Sequence, residues 1–163
     1  MHSLNVLSNH VIAEVMHNPI SQQNSLHSLQ SFQPGDVISP FSARETLSTP
    51  TYLTVQVDAN KHILLDPVFL QYINHSCDPN VFFDTTSMFL IALKEIQPGD
   101  ELTFFYPSTE WKMAQTFQCN CGSHQCIGEI KGAADLSADI ISKYRLTDFI
   151  QQQVHGRTGK ARA

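Results

Sequence analysis

Apolar residues in this chain fall mostly into short runs near period two, broken by Ser, Asn, Pro and Gly. Val11 to Met16 is such a run and Asn18-Pro19 ends it, which predicts a strand. Ser21 to Ser25 is polar and reads as a loop. Tyr52 to Val57, with Leu53, Val55 and Val57 alternating, is followed by Ile63 to Leu65, Val81 to Phe83 and Met88 to Leu93. Each is short, rich in β-branched or aromatic residues and bounded by turn formers, so the middle of the chain is predicted to be β. A helical period appears only late. Ile140, Ile141 and Tyr144 share one face, and Phe149, Ile150 and Val154 share another after a break near Leu146-Thr147. Ser137 and Thr147 are the expected N-caps. Residues 156–163 lack apolar side chains able to dock, and are expected to be mobile with Arg157, Lys160 and Arg162 solvated.

A short internal echo accompanies these runs. Phe32-Gln33-Pro34-Gly35-Asp36 returns 64 residues later as Ile96-Gln97-Pro98-Gly99-Asp100. Pro fixes the first central φ of a type II turn and Gly accepts the positive second one, so each copy is predicted to be a turn feeding a strand.

Composition narrows the classes. A chain of 163 residues with 42% apolar positions is expected to bury one core. With 15% charged residues and a net charge of −5, it has too little charge for a disordered chain and the wrong sign for direct nucleic-acid binding. The longest apolar run, Met88 to Leu93, is far short of the ~20 residues that span a bilayer. No Lys or Arg precedes Arg44, so no secretory signal or Arg-rich transit peptide is expected, and an intracellular place (cytoplasmic or nuclear) follows. In that reducing setting the four cysteines point to metal or catalysis rather than disulfides.

Cys119, Cys121 and Cys126 form C-x-C-x4-C with Gly122 inside the turn. Three thiolates leave a tetrahedral zinc one ligand short, and Cys77 and His124 compete for the fourth place. A group of small buried hydrophobes is the non-metal alternative. Around Cys77 the run His75-Ser76-Cys77 admits a nucleophile-and-base reading, against a plain polar turn started by Asp78-Pro79.

Asn74-His75-Ser76-Cys77-x-Pro79-Asn80, then Gly99 to Tyr106, then Cys119-x-Cys121-Gly122-x3-Cys126, in this order and spacing, resembles a SET domain followed by its post-SET zinc segment. The resemblance implies a mostly β fold, the β-clip, with a C-terminal pseudoknot and a short C-terminal helical tail. It divides the chain into a SET domain at 4–106, a zinc segment at 107–131, a helical extension at 132–155 and the tail. It also implies methyl transfer from S-adenosylmethionine to a protein lysine. Asn74 and His75, with Tyr72 beside them, match the donor-binding positions, and Tyr106 matches the catalytic tyrosine. Phe104 matches the aromatic position of the lysine channel, and Phe41 falls at a second channel position. Cys77 matches the fourth ligand that joins Cys119, Cys121 and Cys126 on one structural zinc ion.

The front half departs from the family pattern. Its G-x-G falls on Gln23-Asn24-Ser25, and its E-Y-x-G-E on Pro40-Phe41-Ser42-Ala43-Arg44. Gln71 stands where an arginine is usual, and Phe105 where an acid is common. The segment from Arg44 to Gln71 is short, so any substrate-binding insert is minimal. Three readings follow: a protein-lysine methyltransferase, a non-catalytic scaffold that binds a partner, and a SET fold whose pocket serves other chemistry on a small molecule.

Overall fold

The computed structural model describes residues 3–162, with side chains through Arg157. In chain order the strands are β1 (Asn5–Asn9), β2 (Ala13–His17), β3 (Asn24–Ser28), β4 (Val37–Pro40), β5 (Ser42–Leu47), β6 (Val55–Asp58) and β7 (Lys61–Asp66). They continue as β8 (Asn74–His75), β9 (Val81–Asp84), β10 (Phe89–Ala92), β11 (Thr103–Phe104), β12 (Phe117–Gln118) and β13 (Glu129–Ile130), and the helices are α1 (Ala138–Ile141) and α2 (Asp148–Arg162).

Three small sheets, ordered β1-β2-β3, β4-β10-β9 and β5-β7-β6, enclose one core. Leu26, Leu65, Leu70, Phe83, Leu90 and Leu102 are buried in it. The predicted strand pattern is present with shifted ends. Asn24 and Ser25, expected in a loop, pair with His17 and Met16, because the open ladder of β2 outweighs their polar character. Tyr52 to Thr54 instead form a turn, held by Thr54 Oγ1 donating to the Thr51 carbonyl at 2.9 Å and accepting from the Thr51 N–H at 2.8 Å.

The echoed turns pack against each other. Gly35 and Gly99 carry φ of +92° and +96°, as a type II turn requires. Asp36 and Asp100 each accept the backbone N–H three residues back, at 2.7 and 2.9 Å. Phe32 and Ile96 exchange backbone hydrogen bonds of 2.9 and 2.8 Å, so the repeated sequence forms a reciprocal contact.

A second core lies behind the first, built from Phe105, Ala133, Leu136, Ile141, Phe149 and Ile150. Both predicted late faces contribute to it. Ser137 and Thr147 cap their helices by accepting from the N–H of Ile140 and Ile150, each at 3.3 Å. Phe105 stacks on Tyr144 at 3.6 Å between ring centroids, so the residue where an acid was expected serves packing. In the tail, α2 runs through Gly156 to Arg162. Arg157, expected to be solvated, donates to the carbonyl of Ala134 at 3.0 Å and lies over the Trp111 ring. The side chains of Lys160 and Arg162 lie outside the described residues.

Gly132 marks the tightest approach, since a Cβ there would sit 2.3 Å from the Trp111 carbonyl oxygen. Gly132→Ala should therefore cost about 3 kcal/mol or more. Gly156→Ala, in the exposed helix with nothing within 4 Å, should add about 0.5–1 kcal/mol. Urea midpoints at unchanged slope measure both effects.

Candidate functional site

The parallel pairing of β8 with β11 sets Asn74 opposite Thr103 and His75 opposite Phe104. Asn80 fixes this crossing: its Oδ1 accepts from the Thr103 N–H at 2.9 Å and its Nδ2 donates to the Glu101 carbonyl at 2.9 Å. Asn74 Nδ2 donates to the Asn24 carbonyl at 2.8 Å, which ties β3 to the same place. The Tyr106 N–H donates to His75 Nδ1 at 3.0 Å. The ring proton of the neutral imidazole therefore belongs on Nε2, which lies 3.5 Å from Cys77 Sγ. Burial depresses the His75 pKa to about 4, so the ring is neutral at physiological pH.

Two hollows flank this crossing. A polar cleft of about 440 Å³ is lined by Gln23, Asn24, Ser25, Asn74 and His75, among others. A more apolar cavity of about 340 Å³ is lined by residues including Leu65, Phe83, Phe104, Tyr106 and Glu110. Phe117 borders both, its ring centroid 5.7 Å from that of His75 and 5.8 Å from that of Tyr106. The replaced glycines do not close the cleft. None of Gln23, Asn24 and Ser25 has a positive φ, the strained position being Gln22 at +63°, so the backbone there does not require glycine.

Two expected residues stand elsewhere. Phe41 is buried edge-on to Phe83, 5.4 Å between centroids, and does not line the cavity. Tyr72 ends the turn Val68–Tyr72 and packs against the first core, away from the cleft that Asn74 and His75 reach. Successive residues leaving that turn face different ways, so adjacency in sequence does not bring Tyr72 to the cleft.

The four cysteine sulfurs converge. Cys77, Cys119, Cys121 and Cys126 have their Sγ atoms within 4.8 Å of one another. Cys77 and Cys119 are 3.8 Å apart, close to the roughly 3.8 Å edge of a zinc–thiolate tetrahedron with ~2.3 Å bonds. His124 is exposed and outside the cluster. Backbone N–H groups of Cys121 and Ile127 point at the sulfurs of Cys119 and Cys77, each at 3.4 Å, which suits thiolate charge. These donors fit zinc, and using Cys77 as a ligand removes it as a free nucleophile.

Sequence reasoning missed Phe117 and Glu110. Phe117 stands two residues before Cys119, on the strand that leads into the cluster. Glu110 is the only charged residue between Glu101 and Lys112. It is buried, with Oε2 accepting from the Gln56 N–H at 3.0 Å and from Thr109 Oγ1 at 2.6 Å. Burial raises its pKa from 4.5 to about 7 despite these donors. Burial, reinforced by the Glu110 charge, pushes the Tyr106 hydroxyl up to about 12.

A family model described as the SET domain matches residues 8–107. Methyltransferase flvH of Aspergillus flavus is 39% identical over 136 residues, covering 82% of this chain and 75% of that protein. Histone-lysine N-methyltransferase met-2 of Caenorhabditis elegans is 37% identical over 71 residues, covering 37% of this chain but 5% of that protein. A crystal structure of KRYPTONITE with mCHH DNA, H3(1-15) peptide and SAH superposes with a TM-score of 0.52 at 23% identity, covering 72% of this chain and 29% of that one. This likeness establishes a shared fold.

One zinc per chain is expected by native mass spectrometry, lost in Cys119→Ser, and a chelator should lower the melting temperature. A second expectation concerns Glu110. Because the fold holds its proton more tightly than the unfolded chain, its stabilisation is complete below pH 4.5 and is lost as pH rises through about 7. That difference is on the order of 3 kcal/mol. Glu110→Gln has no such proton, so its stability relative to the parent protein should rise between pH 5 and 8 in paired urea titrations.

Proposed function

Because this chain belongs to the SET-domain family, we propose that it transfers a methyl group from S-adenosylmethionine to the amine of a protein lysine. The observation that carries this reading is the meeting of the polar cleft and the apolar cavity at His75, Tyr106 and Phe117. In the proposal Asn74, His75 and β3 line the donor site, and a zinc ion on the four thiolates holds β12 and Phe117 over it. The bound donor supplies an electrophilic methyl on a sulfonium sulfur.

The residues of the chain do the rest. A lysine amine has a pKa near ~10.4, whereas methylation needs its neutral form. The apolar walls of the cavity disfavour the ammonium by desolvation, and Phe104 narrows the approach. The Tyr106 hydroxyl, protonated at neutral pH and in contact with the His75 backbone, lines the cavity and in this reading orients the amine. The intact cleft and cavity favour catalysis over a scaffold role. A second reading gives the cavity a small free amine, and the short stretch from Arg44 to Gln71 favours it. That stretch makes only β5, β6, β7 and the turn before Tyr72, with no further element for a long peptide to lie against.

Protein substrates have support in the names of relatives such as met-2. No helix is long and apolar enough to cross a membrane. Calorimetry on zinc-loaded protein should detect S-adenosylmethionine and S-adenosylhomocysteine, and silence at millimolar ligand would sink the proposal. Tyr106→Phe should lower kcat at least ~30-fold while donor affinity changes less than about threefold.

A further inference from the structure

Glu110 is the only residue lining the apolar cavity that carries a charge near neutral pH; the other ionisable groups there, Tyr52 and Tyr106, are phenols. A buried carboxylate is costly, and its structural contacts do not require the charge. Both hydrogen bonds from the protein arrive at Oε2, from the Gln56 N–H and Thr109 Oγ1, and the carbonyl oxygen of a glutamine would accept them equally well. Oε1 receives no donor among the described residues. One acceptor lining the same cavity is buried and unsatisfied: Gln71 Oε1 has no hydrogen-bond partner among the described residues. An unpaired buried acceptor is rare, and one that lines the same cavity as a carboxylate describes a ligand that brings donors and positive charge.

We propose that Glu110, together with Gln71 of the same cavity, receives the primary ammonium of the substrate and takes up its proton. This deepens the methyl-transfer reading and rests on it. The exchange balances: R–NH3+ and the Glu110 carboxylate become R–NH2 and the Glu110 carboxylic acid, which leaves the nitrogen lone pair free to be methylated. The proton then returns to solvent when the product leaves. The raised proton affinity of Glu110 suits it to this task near neutral pH. No other carboxylate lines the cavity; the groups facing Glu110 are Gln56 of β6, Thr109 and Tyr106, of which only Tyr106 titrates, near 12.

The ammonium can belong to a protein lysine or to a free small amine, and binding separates the two. With zinc-loaded protein and no donor, n-butylammonium should bind at least tenfold more tightly than the uncharged isostere 1-butanol at pH 8. Glu110→Gln should lose at least tenfold in n-butylammonium affinity with 1-butanol unchanged within twofold, and Gln71→Leu should lose severalfold. A ten-residue peptide with one internal lysine forms the second arm. Tighter binding of the peptide assigns a protein-borne amine, tighter binding of n-butylammonium a free one, and either with the Glu110→Gln loss supports the subsite. Because these arms need no methyl donor, they stand even if the donor experiment fails. Where turnover is measured, kcat/KM should rise with pH through about 7 in the parent protein, and Glu110→Gln should lack that limb. Unchanged n-butylammonium affinity in both folded variants would overturn the proposal.

Discussion

The imidazole of His75 joins parts of the chain that would otherwise be independent. One ring nitrogen accepts the Tyr106 N–H and the other faces Cys77 Sγ, so a single neutral side chain touches both the tyrosine backbone and the cysteine cluster. Its neutrality is essential. A protonated ring could not accept from Tyr106, and the depressed pKa keeps that bond intact across the physiological range. The carbonyl of Cys77 also accepts from the Tyr144 hydroxyl at 2.7 Å, which draws the second core against the same turn. Cysteine cluster, tyrosine and C-terminal packing therefore meet at one short turn, and loss of any of them is felt by the others.

The partition between cleft and cavity depends on the cluster in the same way. Phe117 is exposed by about a third and belongs to a two-residue strand, so little of its own packing holds it. What fixes it is the pairing of β12 with β13 and the turn that begins at Cys119, whose N–H donates to the Gly128 carbonyl at 2.8 Å. A metal on the four sulfurs would make that turn rigid, and so hold the aromatic wall between the two hollows.

Local rules made the strands of the middle, the paired turns, the helix caps and the late apolar faces legible, since each rests on neighbours within a few residues. The four cysteines were legible through residue chemistry and family spacing together. What could not be read was direction. Tyr72 and Phe41 lie in the expected stretches but line neither hollow, Tyr72 packing against the core at the end of the turn Val68–Tyr72 and Phe41 buried on Phe83. Phe117 and Glu110 were missed for the opposite reason: their positions come from contacts to β6, His75 and Tyr106, far away in sequence.

The missing glycines show why a motif should be weighed by the conformation it serves. Glycine at Gln23 or Ser25 would be needed if the chain there took a positive φ or if a side chain filled the cleft. Neither residue has a positive φ, Ser25 is strand paired to β2, and the open volume persists with the larger residues in place. Asn74, which holds the Asn24 carbonyl, supplies a polar tie to β3 that does not depend on side-chain size at Gln23 or Ser25. The same logic applies across the site at Gln71, where a usual arginine is absent and a lone carboxylate lines the cavity. An arginine at 71 would bring a cation of the chain's own to the cavity that Glu110 lines; a glutamine leaves that charge to come from outside.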